Sequence, residues 1–331
     1  MKALTKIAAL LGMFSVAAPV PFANRNMVVD GAFDGWSTSS ASAVGGSGYT
    51  GPYMWRTDAG TGGAATISRQ DARTLAPGVL DSARRNNYLR WAQTTAATTS
   101  PFLYQRLENA SNANGRSTTF QVKLWTTTGT VTIPQIVVRQ NFGTGGSPSA
   151  QTSPNVTVNW VVTTTPKKFS VRVDFPSTAT STFGTNSDDF IVIGIAMPTG
   201  ATFTLNAAEI QLELCSPQAP SDLNGNGGEP TAFEYRGEAA EIARIWRYVY
   251  NGSQAFLSMY MANINNPGYA YSPWPVTMRA TPAVTLVGGT LNNCTQSSGG
   301  ISVFGWVLIG TSQNSGLIQI SNTGVIADAR L

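Results

Sequence analysis

The chain has 331 residues, 42% of them hydrophobic and only 11% charged, with a formal net charge of +4 and no histidine. That length and apolar content describe a folded chain of roughly two domains. The missing histidine excludes Ser-His-Asp triads, Cys-His dyads and His-ligated zinc. Two cysteines, Cys215 and Cys294, are too few for a four-thiolate site. A small positive balance without a basic run argues against nucleic acid as a partner.

In chain order, residues 1–23 come first. Lys2 and Lys6 precede an apolar run over 7–18, the pattern of a secretory signal. The run is too short to insert in a bilayer, which needs about 20 residues. Two readings stand: a cleaved signal, or a retained apolar segment that packs on another protein. The expectation is the second, with residues 1–26 as a docking segment that presents Leu4, Ile7, Leu11 and Phe14.

From residue 26 to about 213 the pattern is of short strands punctuated by Gly, Pro, Asn and Ser. Strands are expected at 120–125, 131–139, 156–163, 169–175, 190–196 and 202–214. Pro134 within the second of these predicts an edge strand or a bulge. Many strands without intervening helices predict an antiparallel jelly-roll β-sandwich, so the fold class is mainly β. Residues 143–155 and 215–230 read as long loops.

One short amphipathic helix is expected over 237–250. There Ala239, Ile242, Ala243, Trp246 and Val249 share a face, and Glu241 can pair with Arg244. Acids in its first half and arginines in its second suit the helix dipole. After Asn251-Gly252, strands return at 255–262, 269–278, 283–287, 301–309 and 316–320, a smaller C-terminal β domain with a modest core of its own.

Several strings in this order are informative together. They are NMVVDGAFDGW (26–36), Tyr49-Thr50 with Trp55, ISRQ (67–70), YLRW (88–91), QRLE (105–108), QNFGTGGSPS (140–149), FGTNSDDF (183–190), AEIQLE (208–213) and FEYR (233–236). The region resembles the carbohydrate-binding-module-like jelly rolls of bacteriophage tail-fibre and spike proteins. The helix after FEYR matches that resemblance, and SPWPVTMRATPAVTL (272–286) resembles the C-terminal β domains of phage fibre proteins. The resemblance implies a virion docking segment (1–26), a jelly roll (27–235), a helical neck (236–251) and a C-terminal β domain (252–331). It implies a homotrimer that binds other virion proteins through its N-terminus. Its place would be the virion, as a tail or surface fibre that touches host surface glycan.

Glycan binding needs flat aromatic faces beside polar groups. Trp36, Tyr49, Tyr53, Trp55, Tyr88, Trp91 and Tyr104 cluster in the first third, among Arg56, Arg69, Arg90 and Arg106. Core packing is the expectation for most of the tryptophans. The Gly-rich setting of Tyr49, Tyr53, Trp55 and Arg56 makes these four the glycan-binding candidates. Ile242, Trp246 and Val249 are the oligomer-neck candidates.

Asp222, Asn224 and Asn226 begin like a calcium loop, but the twelfth position is Phe233 instead of a bidentate acid, so an Asn/Gly-rich turn is the better reading. Asp188 and Asp189 point to opposite faces if extended, a poor catalytic couple for glycoside hydrolysis. Glu209 and Glu213 read as a solvent-facing row. The expectation is a non-enzymatic protein with no cofactor, no metal and no membrane insertion. The alternatives are a secreted bacterial carbohydrate-binding protein and a head-decorating virion fibre. A polysaccharide-degrading tailspike would show β-helix repeats, and none is visible.

Overall fold

A computed structural model describes residues 25–36, 41–44, 48–81, 87–215, 228, 231–252, 255–261, 267–287, 290–292, 294–299, 301, 305–312, 316–322 and 324–330. The docking candidates Leu4, Ile7, Leu11 and Phe14 and the calcium candidates Asp222, Asn224 and Asn226 lie outside these residues. In chain order the strands are β1 (Ala41–Val44), β2 (Arg56–Asp58), β3 (Ala64–Asp71), β4 (Asn87–Thr95), β5 (Phe102–Glu108), β6 (Ser117–Thr126), β7 (Val131–Asn141), β8 (Val156–Val162), β9 (Lys167–Asp174), β10 (Phe190–Ala196) and β11 (Phe203–Leu214). Two antiparallel sheets result, β1-β3-β4-β11-β6-β9 and β2-β5-β10-β7-β8. The fold class is therefore the expected β-sandwich. Its core lies between the sheets, where Trp55, Trp91, Phe120, Leu124, Ile133 and Ile191 are fully buried.

Local sequence explains where strands bend. Pro134 has no amide proton for the ladder, and the β7–β8 register shifts between Ile133 and Gln135. Of the two outcomes expected for Pro134 the bulge is realised, since β8 lies outside β7. A second bulge interrupts β11 between Ala208 and Gln211 as it pairs with β6. Glu209 sits there at φ +56. The segment 26–31 docks beside this irregularity. Asn26 Oδ1 accepts from Leu212 N (3.1 Å), Asn26 Nδ2 donates to Ile210 O (3.2 Å), and Ile210 N donates to Gly31 O (3.0 Å).

The two sheets differ on their outer faces. β6 is buried along nearly its whole length, on both sides. Phe120, Val122 and Leu124 face the core, while Thr119, Gln121 and Lys123 are covered by other parts of the chain. Lys123 Nζ donates to Val79 O (2.6 Å) and pairs with Asp81 (2.9 Å) and Glu209 (3.1 Å). Thr231 Oγ1 donates to Glu213 (2.9 Å), and Arg25 pairs with the same carboxylate at 3.1 Å. Glu209 and Glu213, expected as a solvent-facing row, are 1% and 2% exposed. Both lie on the outer side of β11, but residues 72–81, Gly228 and residues 231–236 lie over that side of the sheet.

The helix α1 (Glu238–Trp246) is shorter than expected. Val249 opens the next strand and is buried with the sandwich core, so the expected stripe loses its last member. The deeply buried helix residues are Glu241 and Ile245, and Ile242 and Trp246 are half-buried. The Glu241–Arg244 pair forms at 3.7 Å, but Arg236 at 2.5 Å is the closer partner. Glu241 also accepts from the Asp30 amide at 2.9 Å, which ties the helix to the N-terminal loop.

Beyond it run β12 (Val249–Gly252), β13 (Ala255–Met261), β14 (Pro267–Pro273), β15 (Ala283–Val287), β16 (Thr290–Asn292), β17 (Cys294–Gly299), β18 (Gly305–Ser312), β19 (Gly316–Asn322) and β20 (Gly324–Asp328). They form three antiparallel three-stranded sheets. β14 stops at Pro273 rather than at 278, as two prolines, Pro273 and Pro275, flank Trp274.

Candidate functional site

The outer face of the second sheet differs: half-buried aromatic and charged side chains stand there over buried apolar ones. In β5 the alternation is strict: Leu103, Gln105 and Leu107 point inward, while Phe102, Tyr104, Arg106 and Glu108 point outward and are half-buried. Gln105 is fixed from within, since its amide donates to Val29 O (2.6 Å) and accepts from Val29 N (2.8 Å). Register sets the rest of the face. Tyr104 lies opposite Arg56 of β2 on one side and Gly194 of β10 on the other. Arg106 lies opposite Val192, which lies opposite Arg139 of β7.

The centre of the face is apolar. Val137, Val192, Ala196 and Phe190 form a buried floor against which Phe102 and Tyr104 pack. Gly194 keeps the floor tight, because a Cβ there would stand 2.5 Å from Tyr104 Cβ. Guanidiniums and rings stand around it. Arg106 lies over the Phe190 ring at 4.4 Å, and Arg56 lies 5.2 Å from the Tyr49 ring centre and 5.9 Å from that of Tyr104. Such stacking orients the guanidinium and leaves its N–H edges to other acceptors.

The four glycan-binding candidates divide. Tyr49 and Arg56 are half-buried and meet at one edge of this face, while the half-buried Tyr53 ring packs against the core between the sheets. Arg330 reaches them from the chain's last described residues, its guanidinium 4.1 Å from the Tyr49 ring centre and donating to Tyr53 O at 2.9 Å. Burial pushes the Tyr49 phenol up despite Arg56, Arg106 and Arg330 nearby. Trp55 is a correction. It is 0% exposed, donates to Asp30 O at 3.0 Å and packs on Phe33, so it offers no face to a ligand. β2 alternates too, and an inward neighbour of an outward Arg56 is what a strand requires.

Arg139 was not singled out from sequence, nor was Phe102. Their signal was present in the alternation of strands at 102–108 and 131–139, read together with a pairing that only the fold supplies.

Asp188 and Asp189 diverge as expected. Asp188 accepts from Thr144 N (2.7 Å) and Thr144 Oγ1 (2.6 Å), while Asp189 accepts from Ala110 N (2.7 Å). Asp189 lines a separate polar cleft of 550 Å3 with Glu108, Asn109, Arg247 and Arg279. There Glu108 joins Arg279 (2.7 Å) and Arg247 (3.3 Å), an ion cluster that links sandwich, helix end and C-terminal region. Among the described residues no group of three His, Cys, Asp or Glu side chains is placed to hold a metal. No helix among them is long and apolar enough to cross a membrane.

No protein-family model matches the chain, and no curated protein matches it. Among solved structures, the CBM22-1 xylan-binding domain of Paenibacillus barcinonensis Xyn10C superposes at TM-score 0.34 and 9% identity, covering 57% of this chain and 94% of that one. The N-terminal cellulose-binding domain of Cellulomonas fimi β-1,4-glucanase C gives 0.31 and 14%, with coverage of 52% and 97%. The enzymatically active domain of bacteriophage CBA120 tailspike protein 4 gives 0.31 and 11%, with coverage of 57% and 21%. Superpositions this loose carry no inference about site, substrate or assembly.

Proposed function

We propose that this chain is a glycan-binding, non-enzymatic subunit of a bacteriophage fibre or spike, and that it contacts saccharide through the outer face of the second sheet. One observation carries the binding reading. The first sheet hides its outer face under its own chain, with buried ion pairs, whereas the second leaves Phe102, Tyr104, Arg56, Arg106 and Arg139 half-buried around a buried apolar floor. Sugar rings need that combination: a ring face for their C–H groups and N–H donors for their hydroxyls. The ordered series of sequence strings supports the virion assignment. In that setting residues 1–26 dock the chain, Ile242 and Trp246 face sister subunits at the neck, and a homotrimer multiplies weak contacts into useful avidity.

The test is a glycan array with the full-length chain beside Tyr104→Ala, with native mass spectrometry of the same preparations. The reading expects a trimer that retains residues 1–23, and glycan signals that fall about tenfold in the variant, the loss of one ring contact and its neighbours. A monomer lacking about the first 23 residues, where the signal-like run ends, would instead favour the secreted carbohydrate-binding protein.

A further inference from the structure

The glycan-binding face carries more positive charge than a neutral sugar needs. Arg106 and Arg139 stand on either side of Val192, on strands that each flank β10. Two strand spacings separate their backbones, roughly 10 Å. Arg56 lies opposite Tyr104, two residues along β5 from Arg106. Among the described residues neither Arg106 nor Arg139 has a carboxylate within ion-pair distance, and the buried Nε of Arg106 has no hydrogen-bond acceptor.

The acids nearest the face are engaged elsewhere. Asp58 accepts from the Gly60 amide at 2.9 Å, Glu108 holds Arg279, and Asp328 holds Arg330. This contrasts with arginines in the rest of the chain, where Arg25 meets Glu213 at 3.1 Å and Arg236 meets Glu241 at 2.5 Å. Burial, then the neighbouring Arg56 and Arg139 charges, presses the Arg106 guanidinium below its ordinary range. Like charges held together in a partly desolvated place are relieved by an anion.

We infer that this face takes an anionic saccharide, with a carboxylate or phosphate of the sugar between Arg106 and Arg139 and a sugar ring against Tyr104. The inference rests on the glycan-binding reading above and narrows its substrate class. Planar guanidiniums bind either oxyanion through paired N–H groups.

The test is affinity electrophoresis of the full-length chain in gels containing polygalacturonate, polysialate or phosphomannan, each beside its methyl-esterified or dephosphorylated counterpart, with neutral xylan as a further gel. The expected result is retardation by at least one anionic polymer, about tenfold weaker once its charge is removed. Which polymer retards the chain tells carboxylate from phosphate. Arg106→Gln and Arg139→Gln each weaken retention about tenfold, while Arg116→Gln, at an exposed site at the end of β6, leaves it unchanged and controls for net charge. Equal retention by charged and neutral forms overturns the anionic inference and leaves glycan binding intact. Equal loss in Arg116→Gln also overturns it, as non-specific attraction. Retention by none of the polymers, with the array of neutral glycans also blank, overturns both.

Discussion

Asp81 shows how a single side chain secures the covered sheet. Burial raises the pKa of its carboxyl, but hydrogen bonds and charge from Lys168 and Lys123 win and bring it down from 3.8 to about 2. A folded-state value below the unfolded one means stability that is present above about pH 4 and lost as pH falls toward 2. Asp81 keeps 21% of its side-chain surface in solvent, so the contribution is screened to on the order of 1 kcal/mol. Asp81→Asn is expected to lose that amount at pH 7 in urea denaturation and to flatten the fall in stability between pH 4 and 2. An acid limb as steep as the parent's would contradict this role. Nothing in the sequence around Asp81 marks it, for its partners lie 42 and 87 residues away. Trp55 was legible only as half of a pair. A strand containing Trp55-Arg56 must bury one and expose the other, and sequence alone does not say which.

At the scale of elements, the β11 bulge is the point where strand and N-terminal loop are fitted together. A Cβ on Gly31 would land on the Ile210 carbonyl oxygen, so the loop approaches as closely as it does only with glycine there. Gly31→Ala is expected to cost about 1–3 kcal/mol in a denaturant midpoint, as overpacking of a rigid site does. A change below about 0.5 kcal/mol, the usual scatter of surface substitutions, would show that the loop adjusts freely. Elements of this sandwich were readable in proportion to their dependence on local pattern. β10 spans the expected residues 190–196 because seven apolar or small residues stand between loop signals. An edge or a bulge at Pro134 followed from its missing amide proton, and the fold decides for the bulge. The helix end did not follow. Val249 keeps helical spacing but is drawn into pairing with β20, a tertiary contact opposite Asp328. The buried row on β6 and β11 was likewise hidden, because cover by remote segments buries polar positions on the outer side of these strands.

In the whole molecule, the two sheets divide the work. One is sealed by its own chain through Lys123, Asp81 and Glu209, and the other holds half-buried aromatic rings and guanidiniums around a buried apolar floor. The C-terminal region is tied to the edge of that open face by Arg330 at Tyr49 and Tyr53, and to its far end by Arg279 at Glu108. Part of this site was visible in the sequence as a crowding of Tyr and Arg in the first third. The remainder, Arg139 and the floor residues, arrives from strands 30 to 90 positions later and needed the sheet order to be assembled. The measurement that tests the central claim most directly is carbene footprinting of the full-length chain with and without the best glycan from the array. The account predicts protection concentrated at Arg56, at Phe102, Tyr104 and Arg106, and at Arg139, the half-buried residues of the face on β2, β5 and β7, with the covering segment 72–81 unchanged. Protection confined to other surfaces, with these three strands labelled equally in both states, would contradict it.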